Sequence, residues 1–120
     1  MGRFTFAFAL ILATAPAFAH DSKGPNGGRI TDLGRFHAEL TTKGNTVELY
    51  VTDSANKAMA MDGYKGLAVI VVGGKSERID LAPVRGNKLA GTATVAIPPN
   101  AKGVVRLNAP NGNTSQAEFD

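Results

Sequence analysis

From Gly28 to Phe119 the chain sustains no 3.6-residue apolar period. It runs instead in short stretches of alternating apolar and polar residues, cut by glycine, asparagine and proline. Strict alternation places side chains on two opposite faces, so each stretch reads as a strand with one face buried. Arg29 to Asp32 is a first short strand, closed by Leu33-Gly34. In Arg35 to Thr42, Phe36, Ala38 and Leu40 point one way, and Arg35, His37, Glu39 and Thr41 the other. Thr46 to Thr52 repeats the pattern, and the two should pair as an antiparallel hairpin. Leu67 to Val72 is apolar throughout, which predicts a central strand covered on both faces. Gly73-Gly74 suits a primed two-residue turn into Lys75 to Leu81. Leu89 to Ile97 alternates again, and Val104 to Asn108 with Ser115 to Phe119 forms a last hairpin around Asn111-Gly112. The expected fold is all-β: one sandwich-like or barrel-like antiparallel domain of about eight short strands.

The first nineteen residues break from this pattern. Arg3 supplies a positive charge, Phe4 to Leu12 is a short apolar run, and Ala17-Phe18-Ala19 is a small-x-small cleavage site. This is the pattern of an export signal. The expected division is therefore 1–19 as signal peptide and 20–120 as a single all-β domain. Removing nineteen of 120 residues leaves 101, beginning at His20, in the periplasm. That length carries one modest core. After cleavage no apolar run is long enough to cross a membrane as a helix.

Composition narrows the function. The chain has no cysteine, which excludes thiolate metal sites, iron–sulfur clusters and cysteine nucleophiles. Thirteen Lys and Arg stand against ten Asp and Glu, scattered singly and with mixed sign. Without a basic block interleaved with aromatics, nucleic acid is not an expected partner. Only two histidines are present, there is no GxSxG elbow, and GPNGG lacks the Lys-Ser/Thr of a phosphate loop. No enzymatic constellation emerges.

Metal binding is the sharper expectation. A mature N-terminal His20 offers an α-amine and a ring nitrogen as one chelate. His37 would add a third nitrogen. Glu39, two residues on and about 6.5 to 7 Å along the same face, would add a carboxylate. Three nitrogens and an oxygen suit Cu(II), with Zn(II) as the alternative ion. Met59 and Met61 offer two thioethers at i and i+2, a softer secondary candidate. The other reading is a non-catalytic module of the cell envelope that uses sheet edges or the 53–66 stretch to contact a partner, without metal.

The segment His20 to Leu40, HDSKGPNGGRITDLGRFHAEL, resembles a motif in periplasmic parts of heavy-metal efflux systems. It is carried by His20, Gly24, Pro25, Gly27, Gly28, Arg29, Ile30, Asp32, Gly34, Phe36, Glu39 and Leu40. The motif occurs in the β module of efflux adaptor subunits and, similarly, in small stand-alone exported proteins. The resemblance implies a periplasmic setting, a metal-resistance context and an envelope efflux component as a partner. The long helical hairpin and lipoyl-like domain of adaptor subunits do not fit in 101 residues.

Overall fold

The computed structural model describes residues 22–120. These form nine strands and no helix: β1 (Ser22–Lys23), β2 (Arg29–Leu33), β3 (Phe36–Lys43), β4 (Thr46–Thr52), β5 (Lys65–Val72), β6 (Lys75–Pro83), β7 (Lys88–Thr92), β8 (Gly103–Asn108) and β9 (Thr114–Phe119). The strands pair antiparallel in one sheet of order β1-β2-β3-β4-β7-β6-β5-β8-β9. The expected all-β antiparallel fold is thus observed, in its barrel-like form. The short β1 is the one strand that alternation did not announce.

Turn chemistry sets the hairpin registers. Leu33 pairs with Phe36 and Lys43 with Thr46, leaving two-residue loops that begin with Gly34 and Gly44. Both glycines have φ near +60°, the first central position of a type II′ turn. Gly73 and Gly74 both have positive φ, so the β5–β6 turn is type I′ as expected.

The single sheet buries its apolar face by curling. β6 is the corner: it pairs with β5 over Lys75 to Leu81 and then with β7 through only Ala82 and Pro83. Curling continues until β2 and β9 lie side by side without a ladder between them. Arg29 spans this seam. Its register partners across the sheet, Leu40, Leu49 and Leu89, are buried, so Arg29 starts on the inner face. Its guanidinium lies 5.6 Å over the Phe119 ring and donates to the Ala101 carbonyl at 2.5 Å and the Asp120 carbonyl at 3.4 Å. Inside are Leu33, Ala38 and Leu40 from β2 and β3, Val47, Leu49 and Val51 from β4, and Ile70, Ile79, Leu107 and Phe119 from the other half.

Two expectations change. Leu67 to Val72 is not covered on both faces: Ala68 and Ile70 are buried, while Val71 is 47% exposed, because a one-layer barrel has nothing outside β5. The alternation of Leu89 to Ile97 does not make one strand, since β7 ends at Thr92. Thr92 pairs with Thr46, the first residue of β4, so no partner strand remains beyond it. Ala93 and Ile97 stay buried and donate their amides to Asn45 and Gly44 in the β3–β4 turn. Among the described residues no helix is long and apolar enough to cross a membrane. The expected signal peptide and His20 lie outside the described residues.

A one-layer barrel makes neighbouring β5 positions unequal. Ile70→Ala should lower the unfolding free energy by about 2–5 kcal/mol, whereas Val71→Ala should change it by less than about 0.5 kcal/mol. Urea midpoints of the two variants check this.

Candidate functional site

Alternation in β3 turns Ala38 and Leu40 inward and leaves His37 and Glu39 on the outer face. Glu39 is nevertheless only 4% exposed, because the GPNGG lead-in folds over it. Gly27 N–H bonds to the Gly24 carbonyl at 3.0 Å and Gly24 N–H to the Gly28 carbonyl at 2.9 Å. Pro25 holds the first central position of this tight turn and Asn26 the second. Gly27 follows at φ +78°, a conformation glycine adopts without Cβ strain. The turn directs its amides at the Glu39 carboxylate. Oε2 accepts from Asn26 N at 2.9 Å and Gly28 N at 2.8 Å, and Oε1 accepts from Asn26 Nδ2 at 2.9 Å. A Cβ at Gly24 would fall on that carboxylate. Three donors to one buried carboxylate satisfy a charge that would otherwise be costly to bury.

His37 is the other outward group. Its cross-strand partner on β2 is Asp32, and Nε2 lies 3.6 Å from Asp32 Oδ1. Its Nδ1 lies 2.7 Å from Asn56 Oδ1. With Asn56 Oδ1 as acceptor, the tautomer that fits this contact is the one with Nδ1 protonated, which in the neutral ring leaves the lone pair on Nε2. Asn56 is held for this contact by its own turn. Asp53 Oδ1 accepts from Ala55 N at 2.8 Å and Lys57 N at 2.9 Å. Asn56 N donates to the Asp53 carbonyl at 3.0 Å, and Asn56 takes φ +61°, which asparagine tolerates better than most residues. A bridge between Thr52 and Ala58 closes the loop onto β4.

Between the lead-in and the 53–57 turn lies a concavity of about 340 Å³, with Pro25 and Asn26 on one side, Asn56 and Asn87 on the other, and His37, Glu39 and Tyr50 along its floor. Beside it, Lys88 Nζ sits 2.6 Å from Glu48 Oε2 and 5.6 Å over the Tyr50 ring. The hydrogen bond to Glu48 raises the ammonium above its ordinary pKa, against a smaller desolvation effect.

The expected ligands are brought together only in part. His37 and Glu39 line the same concavity, but the Glu39 oxygens are engaged with the lead-in. Met61 is 1% exposed in the core, and Met59 packs against that core. His20 lies outside the described residues. Among the described residues no three His, Asp or Glu side chains gather where they could hold an ion. Sequence reasoning missed Asp32 and Asn56 as the partners of His37. The signal for Asn56 was present: Asp53-Ser54-Ala55-Asn56 is an aspartate-initiated turn ending in a residue that accepts positive φ. Comparison with protein-family models, curated proteins and solved structures returns no match to this chain.

Glu39→Gln replaces an acceptor oxygen with a donor facing donors and should cost about 1–3 kcal/mol. It should also speed amide exchange at Asn26 and Gly28, and unaltered exchange there would refute the anchoring role. The Lys88–Glu48 pair adds a pH dependence. A raised lysine pKa contributes stability that is complete below the ordinary lysine range and lost as pH climbs through the raised value. Lys88→Met should therefore lessen the alkaline decline in the urea midpoint.

Proposed function

We propose that the chain is an exported, non-enzymatic metal-associated protein, holding Cu(II) or Zn(II) at His37 with Asp32 and the N-terminal His20. The observation that carries this reading is the contact of His37 Nδ1 with Asn56 Oδ1. A carbonyl oxygen holding Nδ1–H leaves Nε2 as the donor and orients the ring, the usual support of a metal-ligating imidazole. Asp32, with its side chain 71% exposed beside Nε2, supplies the carboxylate in place of Glu39. Imidazole nitrogen and carboxylate oxygen suit either ion. His20 stands two residues before Ser22, which pairs with Ile30 on the strand that carries Asp32. Two residues of chain span about 7 Å, the same separation as Ile30 to Asp32 along β2. Cleavage after Ala19 would add the amine. The proposed site leaves out Met59 and Met61: Met61 is buried in the core, and the partly buried Met59 packs against it. The resemblance of the 20–40 segment supports a periplasmic, metal-resistance setting with an efflux component as partner.

Titration calorimetry of the chain starting at His20 should show uptake of about one equivalent, weaker in more acidic buffer because amine and imidazole must lose protons to bind. His37→Ala should weaken binding sharply. Asn56→Gly keeps the positive φ, removes the amide, and should weaken binding about 10–100-fold. A residue added ahead of His20 should also weaken it. No uptake, or uptake indifferent to His37→Ala, would refute this reading and favour the metal-free interaction module.

A further inference from the structure

The barrel has a second concavity, at the end where the β2–β3 turn meets the β8–β9 loop. Its volume is about 430 Å³, within the range of about 300–1,000 Å³ typical of small-molecule sites, which often occupy the mouths of β-barrels. It shares no lining residue with the His37 concavity. We propose that this mouth binds a small organic carboxylate with an aromatic or apolar body, gripped by Arg35.

The lining is mixed, with three large apolar or aromatic side chains among polar ones. Leu107, 1% exposed, closes the bottom. Phe36 and Tyr64 are half-buried against the core and flank the opening. Two aromatic side chains beside an aliphatic floor offer contact surface for a ring or short hydrocarbon. The rim is polar but uncharged apart from one group. Asn111, Asn113, Thr114 and Ser115 contribute amides and hydroxyls, and Arg35 contributes the single charge. No carboxylate lines this mouth, whereas the His37 concavity includes Glu39 and two further cavities include Asp32 and Asp80. Among the described residues Arg35 has no ion-pair partner. Its guanidinium lies 5.6 Å over the Phe36 ring, which leaves its edge available. A planar fork of donors beside neutral amides matches one carboxylate. A lone cation is a poor match for a doubly charged phosphate.

The mouth is also preorganised, which lowers the cost of binding. Arg35 is the second residue of the two-residue β2–β3 turn, whose first, Gly34, has φ +62°. A Cβ at Gly34 would stand 3.1 Å from Ser115 Oγ, so turn and β9 are already in contact. Asn111 Oδ1 accepts from Asn113 N at 3.0 Å, the Ala109 carbonyl accepts from Gly112 N at 3.0 Å, and Ala109 N donates to the Asn113 carbonyl at 2.8 Å. Tyr64 N donates to the Met61 carbonyl at 3.0 Å, tying the other wall to a core residue.

The test is an amide-shift titration of the folded chain with benzoate, its neutral counterpart benzamide, and inorganic phosphate. Benzoate should shift Gly34, Arg35, Asn113 and Ser115 saturably. Benzamide should bind about tenfold to a hundredfold more weakly, the worth of hydrogen bonds to a charged group. Phosphate should not compete. Arg35→Gln should bring benzoate down to the benzamide level. A free acid and a peptide C-terminus present the same group. A short peptide ending in a free phenylalanine carboxylate, compared with its amidated form, tells which source fits, and a preference for the free carboxylate supports the site. No saturable benzoate shift, equal binding of benzoate and benzamide in the unaltered chain, competition by phosphate, or a preference that survives Arg35→Gln would each overturn it.

Discussion

A sheet with one apolar face and no second layer has only itself to pack against. Curling solves this, but the curl must end where two edges meet, and here β2 and β9 meet without a ladder. Arg29 is placed to close that gap. It leaves the inner face of β2, lies over Phe119, and reaches carbonyls at Ala101 and Asp120. Aliphatic side chains fill the interior on either side. Only a long side chain with several donors both covers apolar surface and serves the carbonyls left at an unpaired edge. The other strands can bury their apolar residues because this seam is shut.

The residues just ahead of Arg29 are held by a different device. A buried carboxylate on β3 gathers three N–H donors from a turn of five residues, pinning the chain across the outer face before it enters β2. Closure and anchoring are therefore adjacent in sequence, at Gly24 to Arg29, and share β3 as their support. One outward side chain of β3, Glu39, holds the lead-in. Another, His37, is held in turn by the 53–57 loop and faces Asp32. The two ends of this concavity are thus built by different segments, and the imidazole owes its orientation to Asp53 and Asn56 rather than to the glycine-rich turn.

Much of this was legible in the chain. Period-two alternation located β3 and β4, and the glycines at 34, 44 and 73–74 marked the turns, because positive φ is a demand that few other residues meet. What escaped was whatever depended on a neighbour distant in sequence. β7 stops at Thr92 because its partner β4 begins at Thr46, although Ala93 and Ile97 keep the alternation and remain buried. Leu67 to Val72 reads as doubly covered, yet coverage is a property of layers, and a lone strand does not reveal how many layers surround it. Glu39 reads as an exposed acid in a polar face; its burial comes from a turn that precedes it by eleven to fifteen residues. Asp32 beside His37 follows only once the β2–β3 register is known.

These distinctions change what the 20–40 segment can be asked to support. Gly24 avoids the carboxylate, Gly27 takes the positive φ, Gly28 approaches the Leu40 backbone too closely for a Cβ, Arg29 shuts the seam and Glu39 receives the amides. Each has a mechanical task that would persist with no ion present. The motif in this protein thus accounts for itself as a way to start a closed sheet. Those positions supply the setting rather than the ligands, so a metal site would stand on the groups around His37, where the imidazole meets the exposed Asp32 carboxylate across the β2–β3 ladder. The same reasoning applies to Arg35. Unlike Arg29, it holds no seam, and its charge stands over an aromatic wall at the rim of a mouth free of carboxylates.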